Sequence, residues 1–510
     1  MRFIILTAIL GTPLAVFSQE ETGAPASGLT VLEAPRPNVL MVFVDDLRPA
    51  LSCYGDPLAK TPNIDRFAAT ARRFNRAYCN QAVCGPSRAS LLTGRLPDNI
   101  GVWHNRDLFR ERHPGLVTLP QLFKNQGWHA MALGKVFSGN ERELDPKSWS
   151  EPEILSRKGW KNYLLRETGG PKKGSPFEMA DVVDDSYTDG KLAGLAIKTL
   201  AKLKQRPQPF FLAVGFFKPH LPFNAPKKYW DLHDPKAFAL VGQSERAKGA
   251  PGAAYPDQRE LGGYQGVPKN ERVSAKQGGD LRHGYYACVS YVDAQIGRLL
   301  MALESHGLKD NTIVVILGDH GFSLGEAGHW CKKTNFELDT HVPLLIRTPG
   351  MKQPGTATEA MVEFVDLFPT LAELTGLSVP ADLDGRSFAP SLDNPAAPGR
   401  SAVLSQHTRP WSPGAPKIMG YSLRTKSYRY TRWIDWNTRK TFAEELYDYS
   451  LKSSVRTQGK YLIERESVVD EFHSVATRDE LRKQLDEVLV ARISTTIQKA
   501  VPEEPKTPNE

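Results

Sequence analysis

Three aspartates, one cysteine and several basic side chains stand where this 510-residue chain can do chemistry. Asp45 and Asp46 follow the apolar run VLMVFV directly, and Asp319 and His320 follow IVVIL and Gly318. Lys218 and His220 follow FFLAVGFF, and Lys135 lies just past MAL and Gly134. The three carboxylates supply hard oxygen donors with no thiolate set beside them, which suits Ca2+ or Mg2+. A cation would also offset the repulsion of clustered carboxylates. An Asp-Asp pair after a strand is, taken alone, as well explained by a turn. Cys84 opens the run CGPSRASLLTGR, residues 84–95. Pro86 and Ser87 are helix-start residues, so Cys84 is expected at a helix N-terminus, where backbone N–H groups and the dipole favour an anion. Arg88, one turn on, can pair with a carboxylate or with sulfate or phosphate oxygens. A lone cysteine in such a setting is more often a buried structural thiol.

These residues meet only if the runs before them are strands of one sheet. Val39–Val44, Ala130–Leu133, Phe210–Phe217, Ile313–Leu317 and Pro343–Ile346 are apolar and β-branched, as buried parallel strands are. Helical patterns fall at 61–73, at 285–304 and at 362–376, the last ending at Gly376. Alternating strands and helices predict an α/β sandwich with a large, mostly parallel sheet. Functional residues of such sheets gather at the carboxyl ends of the strands. The polar, Gly/Pro-rich stretches 139–185 and 230–280 read as insertions around a pocket mouth. The catalytic domain is expected over 37–395, ending in a linker-like stretch, 378–400. A smaller α+β subdomain, 396–503, follows it. Its strands are read at Ala402–Ser405, Gly420–Arg424 and Tyr428–Trp433, and an amphipathic helix at 478–499.

Hydrophobic residues make up 40% and charged residues 24%, which excludes a mostly disordered chain and a multi-span membrane protein. The net charge of +8 favours anionic partners. Zinc-finger spacing, an RNP-like motif and a basic heptad region are all missing, so nucleic acid is not an expected partner. Residues 1–18, MRFIILTAILGTPLAVFS, have the layout of a secretory signal peptide, followed by a flexible lead-in over 19–36. The run is short for a membrane anchor and is broken by Gly11 and Pro13. No membrane span is expected once it is removed, and the location expected is periplasmic or extracellular. Five cysteines without a CxxC argue against a structural zinc or dithiol motif.

The run CGPSRASLLTGR resembles the signature of the type I sulfatases, within the alkaline-phosphatase-like superfamily. The resemblance extends over most of the chain and is nearest to the iduronate-2-sulfatase branch. It is carried by NVLMVFVDDLRPALSCYGD (38–56), TPNIDRFA (61–68), QAVCGPSRASLLTGRLPD (81–98), GKVF (134–137), PFFLAVGFFKPHLPF (209–223), GDHGFSLGEAGHW (318–330), THVPLL (340–345), VEFVDLFPTLAELTGL (362–377) and KIMGYSLRTKSYRYTRW (417–433).

The resemblance implies that a maturation enzyme converts Cys84 to formylglycine, an aldehyde whose hydrate attacks sulfur. It implies Ca2+ on Asp45, Asp46, Asp319 and residue 84. His320 is either a further, less usual ligand or a group facing the sulfate. Arg88 would hold the formylglycine in place. Lys135, His220 and Lys332 would bind sulfate oxygens, His220 also serving as acid for the leaving alcohol, with Lys218 and His329 as further substrate contacts. The chain departs from the pattern at Ser138, where close relatives carry a histidine after GKVF, and at Phe322, where the branch has tryptophan. His329 is a candidate to replace the missing histidine. The expected substrate is a sulfated sugar or polysaccharide, with 2-O-sulfated uronate in first place. A phosphoester or phosphonate hydrolase on the same fold, and a sulfated-glycan binding protein without turnover, are the alternatives.

Overall fold

The strand Asn38–Val44 (β1) is apolar from Val39 onward and fully buried there. Its side chains alternate between two cores. Leu40, Val42 and Val44 face one, and Val39, Met41 and Phe43 the other. A strand buried on both faces requires helices on both sides of its sheet. The computed structural model describes residues 36–138, 144–154, 161–165, 173–238, 245–257, 260–458 and 460–493. The signal peptide over 1–18 and nearly all of the 19–36 lead-in lie outside these, as do parts of both insertions and the end of the 478–499 helix.

The large sheet adds Arg72–Tyr78 (β2), His129–Gly134 (β3), Phe210–Phe216 (β4), Thr312–Gly318 (β5), His341–Arg347 (β6) and Ala357–Glu363 (β7), in the order β7-β2-β6-β5-β1-β4-β3. β1 pairs in parallel with β4 and β5, β3 with β4, and β7 with β2. β6 runs antiparallel to both of its neighbours, which corrects the parallel assignment of Pro343–Ile346. Between β5 and β6 only one-turn helices and a hairpin of two-residue strands intervene, with no long helix to carry the chain across the sheet as parallel crossovers usually do.

Helices cover both faces. Pro62–Ala68 (α1), Thr188–Leu203 (α4) and Ala275–Ser305 (α5) pack on one side. Cys84–Thr93 (α2), Leu119–Asn125 (α3) and Leu367–Leu374 (α6) pack on the other. α5 begins ten residues before the periodic stretch, because the Ser274 side chain caps it by accepting from the Gln277 N–H. The glycines Gly278, Gly279 and Gly284 hide the helical character of that first part.

Two helix expectations were too long. The stretch 61–73 is helical only to Ala68, and Arg72 opens β2. The Arg72 guanidinium is buried and donates to the carbonyls of Ser391, Leu392 and Lys352, so a charged residue serves a buried strand. The stretch 362–376 begins as the end of β7. The Glu363 and Asp366 side chains then cap the turn reciprocally before α6.

After Ala402 the chain forms a second sheet, all antiparallel: Ala402–Arg409 (β8), Ile418–Thr425 (β9), Tyr428–Asp435 (β10) and Thr441–Asp448 (β11). Val475–Arg492 (α7) lays Leu481 and Leu485 into its core. The fold is the expected α/β sandwich with a smaller strand-rich C-terminal part. From Arg36 onward the chain is one compact unit.

Candidate active site

Parallel pairing brings the carboxyl ends of β1, β3, β4 and β5 to one edge. β1 ends in Asp45 and Asp46, both fully buried. Asp46 takes a left-handed φ of 62°, a conformation that non-glycine residues favour only when their surroundings fix it. Its N–H donates to Asp319 Oδ1 at 3.0 Å, and the Asp319 N–H donates to the Val44 carbonyl at 3.3 Å. The two strand ends are thereby locked together.

Cys84 is the first residue of α2, as expected, and is 2% exposed. Its Sγ lies 3.4 Å from Asp45 Oδ1, from His320 Nε2 and from Lys135 Nζ, and 3.8 Å from Lys332 Nζ. Burial pushes the thiol well above its ordinary value, and Asp45 adds to this. The thiolate is therefore disfavoured. One turn into α2, Arg88 donates from Nε to Asp319 Oδ2 at 2.8 Å and from Nη2 to Asp45 Oδ1 at 3.2 Å. Its Nη1 donates to the carbonyls of Lys135 and Val136. A single guanidinium thus ties β1, β3 and β5 to α2.

Two ammoniums neutralise the aspartates. Lys135 Nζ sits 2.6 Å from Asp45 Oδ2, and Lys332 Nζ 2.6 Å from Asp46 Oδ1. Burial alone would raise the Asp45 pKa. Lys135, His220, Arg88 and Lys332 more than reverse this and hold the carboxyl well below the usual range. Asp319 is likewise lowered, burial being outweighed chiefly by Arg88 and His320. His320 places Nε2 3.3 Å from Asp46 Oδ1 and turns Nδ1 to the Gly321 carbonyl at 2.8 Å.

His220 points Nδ1 at the Leu221 carbonyl, 2.6 Å away. A carbonyl can only accept, so Nδ1 carries a proton and Nε2 is the nitrogen that exchanges one. Nε2 faces Glu260 Oε1 at 3.4 Å, and Glu260 Oε2 lies 3.5 Å from Lys332 Nζ. Glu260 is a member of the site that sequence reasoning missed; it lies within a polar stretch with no pattern to single it out. Lys218, in contrast, sends its ammonium to the carbonyls of His220 and Pro222, at 3.2 and 2.6 Å, and so braces the loop that carries His220. His329 seats Nε2 3.1 Å from Asp339 Oδ2, and Cys84 is not among its contacts. Ser138 lines a small cavity of about 70 Å³ with Gly85 and Phe137.

The sequence of this site decides the family. The Sulfatase family model matches residues 37–377, and the model of the N-sulphoglucosamine sulphohydrolase C-terminal region matches 325–489. The chain belongs to the sulfatase family. It is 36% identical to human (Homo sapiens) iduronate 2-sulfatase over 470 residues, covering 78% of this chain and 85% of that protein. Among the solved structures that share its fold are the following two. The phosphonate monoester hydrolase from Silicibacter pomeroyi has a TM-score of 0.72 at 23% identity, covering 90% of this chain and 96% of that one. BT4656 in complex with its substrate D-glucosamine-2-N,6-O-disulfate has a TM-score of 0.67 at 23% identity, covering 92% of this chain and all of that one.

Sulfatases hydrolyse sulfate esters and generally use a formylglycine and a metal ion. The residues of this sulfatase fit a metal ion. Ligand atoms of Asp45, Cys84, Asp319 and His320 lie within 4.8 Å of one another, as do those of Asp45, Asp46 and His220. Asp46 Oδ2 is buried with no hydrogen-bond partner among the described residues. An unsatisfied buried carboxylate oxygen is costly unless a cation meets it. Among the described residues, no helix is long and apolar enough to cross a membrane.

Proposed function

We propose that this sulfatase removes sulfate from a sulfated sugar, with 2-O-sulfated uronate as the first candidate, using formylglycine made from Cys84 and a bound Ca2+. The observation that carries this is the position of Cys84 Sγ, 3.4 Å from a buried carboxylate, an imidazole and an ammonium at the carboxyl edge of the sheet. Formylglycine at 84 would supply a hydrate, one hydroxyl of which attacks sulfur while the other allows sulfate to leave. Ca2+ on Asp45, Asp46 and Asp319, with His320 beside them, would supply Lewis-acid polarisation of a sulfate oxygen.

The chain's own side chains do the rest. Arg88 fixes the start of α2 against Asp45 and Asp319. Lys135 and Lys332 present ammoniums to the sulfate oxygens. His220 is placed to give a proton from Nε2 to the departing sugar oxygen; burial lowers its pKa, and Asp46, Asp45 and Glu260 offset part of that. Export follows from the leader read over residues 1–18, and maturation needs a formylglycine-generating enzyme. A second reading, phosphonate or phosphoester hydrolysis, has in its favour the shared fold with a phosphonate monoester hydrolase.

The test is product release. Protein co-expressed with a formylglycine-generating enzyme is given a 2-O-sulfated uronate disaccharide and, separately, an aryl phosphonate monoester. Sulfate release with the larger kcat/KM supports the sulfatase reading. Preference for the phosphonate overturns it. Tight binding of the disaccharide without release, by protein in which residue 84 is converted, would mark a binding protein instead.

A further inference from the structure

Next to Lys332 stands a second lysine that the reaction above leaves without a task. Lys333 is 6% exposed, and its ammonium has no ion-pair or hydrogen-bond partner among the described residues. Its Nζ lies 3.6 Å from the centre of the Trp411 ring, and the His104 ring lies 4.1 Å from the same indole. Trp411 Nε1 is itself buried without a hydrogen-bond acceptor. At this ring one buried donor, Trp411 Nε1, lacks an acceptor, and the Lys333 ammonium has the indole face against it. Native proteins rarely leave a buried donor unmet, and it calls for a ligand, ion or water.

The position is rigid. The Lys333 N–H donates to the Ala82 carbonyl at 3.1 Å, two residues before Cys84, and Arg409 Nη2 donates to the Lys333 carbonyl at 2.8 Å. Cys331 and Lys333 are both left-handed, at φ 74° and 83°, on either side of Lys332. This breaks the alternation of an extended chain and keeps both ammoniums within charge range of Glu260. That carboxylate lies beside His220 and Lys332. Arg409 is buried too and, among the described residues, donates to carbonyls and to His407 Nδ1. The Asp257 carboxylate acts on both Lys333 and Arg409, and that of Glu260 on Lys333; Asp257 also accepts from the Trp411 backbone N–H. Burial lowers the Lys333 pKa, Glu260 offsetting part of it, so an incoming anion would stabilise the charged form.

We propose that Lys333 and the Trp411 N–H form a subsite for a second anionic group, a carboxylate or a sulfate, on the sugar that carries the scissile ester. The inference rests on the sulfated-sugar reading of the site. It makes Lys333 a specificity-determining residue, distinct from Lys135 and Lys332, which serve the ester being cut.

Lys333→Met, Lys333→Arg and Trp411→Phe variants would be assayed on four substrates: a 2-O-sulfated uronate disaccharide, its uronate methyl ester, a disulfated glucosamine and 4-nitrophenyl sulfate. Lys333→Met is expected to raise KM by about 10-fold or more on the substrate whose second anion fills the subsite, with kcat within about twofold. Aryl sulfate hydrolysis should stay unchanged, and Lys333→Arg should restore most of the KM. Loss confined to the free uronate assigns a carboxylate, and loss confined to the disulfated sugar assigns a sulfate. An equal fall on all four substrates overturns the subsite and makes Lys333 structural. Wild-type enzyme that cleaves the methyl ester, the free acid and the disulfated sugar equally well overturns the subsite while the sulfatase function stands. Wild-type enzyme that cleaves aryl sulfate and none of the sugars overturns both.

Discussion

Arg88 Nε sits 2.8 Å from Asp319 Oδ2, with the guanidinium sealed from solvent and Asp319 at most 1% exposed. The other arm of the guanidinium reaches Asp45, so one cation balances two buried carboxylates from different strands. Removing one partner of such a pair strands the other charge in the interior, at roughly 3–5 kcal/mol. Arg88→Met should therefore lower the unfolding free energy measured by urea titration by that order and abolish measurable turnover. Arg88→Lys keeps the charge without the planar fork that spans Asp45 and Asp319, and should recover stability better than activity. Equal recovery of both would show that charge alone matters here.

Cys84 makes no strong structural bond. Its thiol contacts are 3.4 Å or longer, so the fold does not depend on the sulfur. Cys84→Ala should leave the thermal unfolding temperature within a few degrees and reduce sulfate release by about 10⁴-fold or more, as loss of a nucleophile does elsewhere. Mass spectrometry of the peptide spanning residue 84 provides the companion measurement. In active enzyme it should show the thiol replaced by an aldehyde, with sulfur lost, oxygen gained and part of the product hydrated. Activity from protein whose peptide carries only the intact thiol would sink the formylglycine mechanism.

The strand-end residues were legible because their strands are continuous apolar runs, and a parallel sheet puts such ends on one edge. Asp45, Lys135, His220 and Asp319 follow this logic directly. Lys332 could be named only through the family motif, since its arrival at Asp46 depends on the left-handed residues on either side of it. Lys218 sits at a strand end yet braces the loop that carries His220. β2 stayed hidden for another reason. RRFNRAY has the arginines of a helix surface, and only the tertiary fold supplies the carbonyls that receive Arg72. Glu260 and Lys333 carry no periodic or motif signal at all. They become visible only in the fold, Glu260 as a charge facing His220 and Lys332, and Lys333 as a charge over the Trp411 ring.

The orphaned Asp46 Oδ2 makes metal binding measurable apart from turnover. Chelator-treated protein should unfold at a lower temperature than untreated protein, and added Ca2+ should restore it. A ligand at a hundredfold excess over its Kd stabilises by about 2.7 kcal/mol. Asp46→Asn should erase most of that Ca2+-dependent shift, because it replaces an anionic oxygen donor with a neutral amide. A shift that survives Asp46→Asn in full would place the ion elsewhere.

Far from the site, Glu363 at the end of β7 holds the C-terminal part to the large sheet. Its carboxylate takes two hydrogen bonds from Arg492 on α7, at 2.9 and 2.6 Å, and one from the Leu404 N–H of β8 at 2.8 Å. Burial would raise its pKa. Arg492 and Arg400 outweigh that and bring it from the ordinary 4.5 down to about 2. A carboxyl lowered in the folded state stabilises the protein above its unfolded value, and the contribution disappears as pH falls from about 4.5 to about 2. A displacement of this size is worth about 3 kcal/mol at neutral pH. Glu363→Gln should cost a comparable amount at pH 7 and, because glutamine does not titrate, flatten the loss of stability between pH 4.5 and 2. Urea unfolding at a series of pH values gives both slopes. If wild type and variant lose stability in parallel across that window, the acid sensitivity of this protein originates in other carboxylates, and the Glu363–Arg492 pair is a geometric tie without the linkage assigned to it.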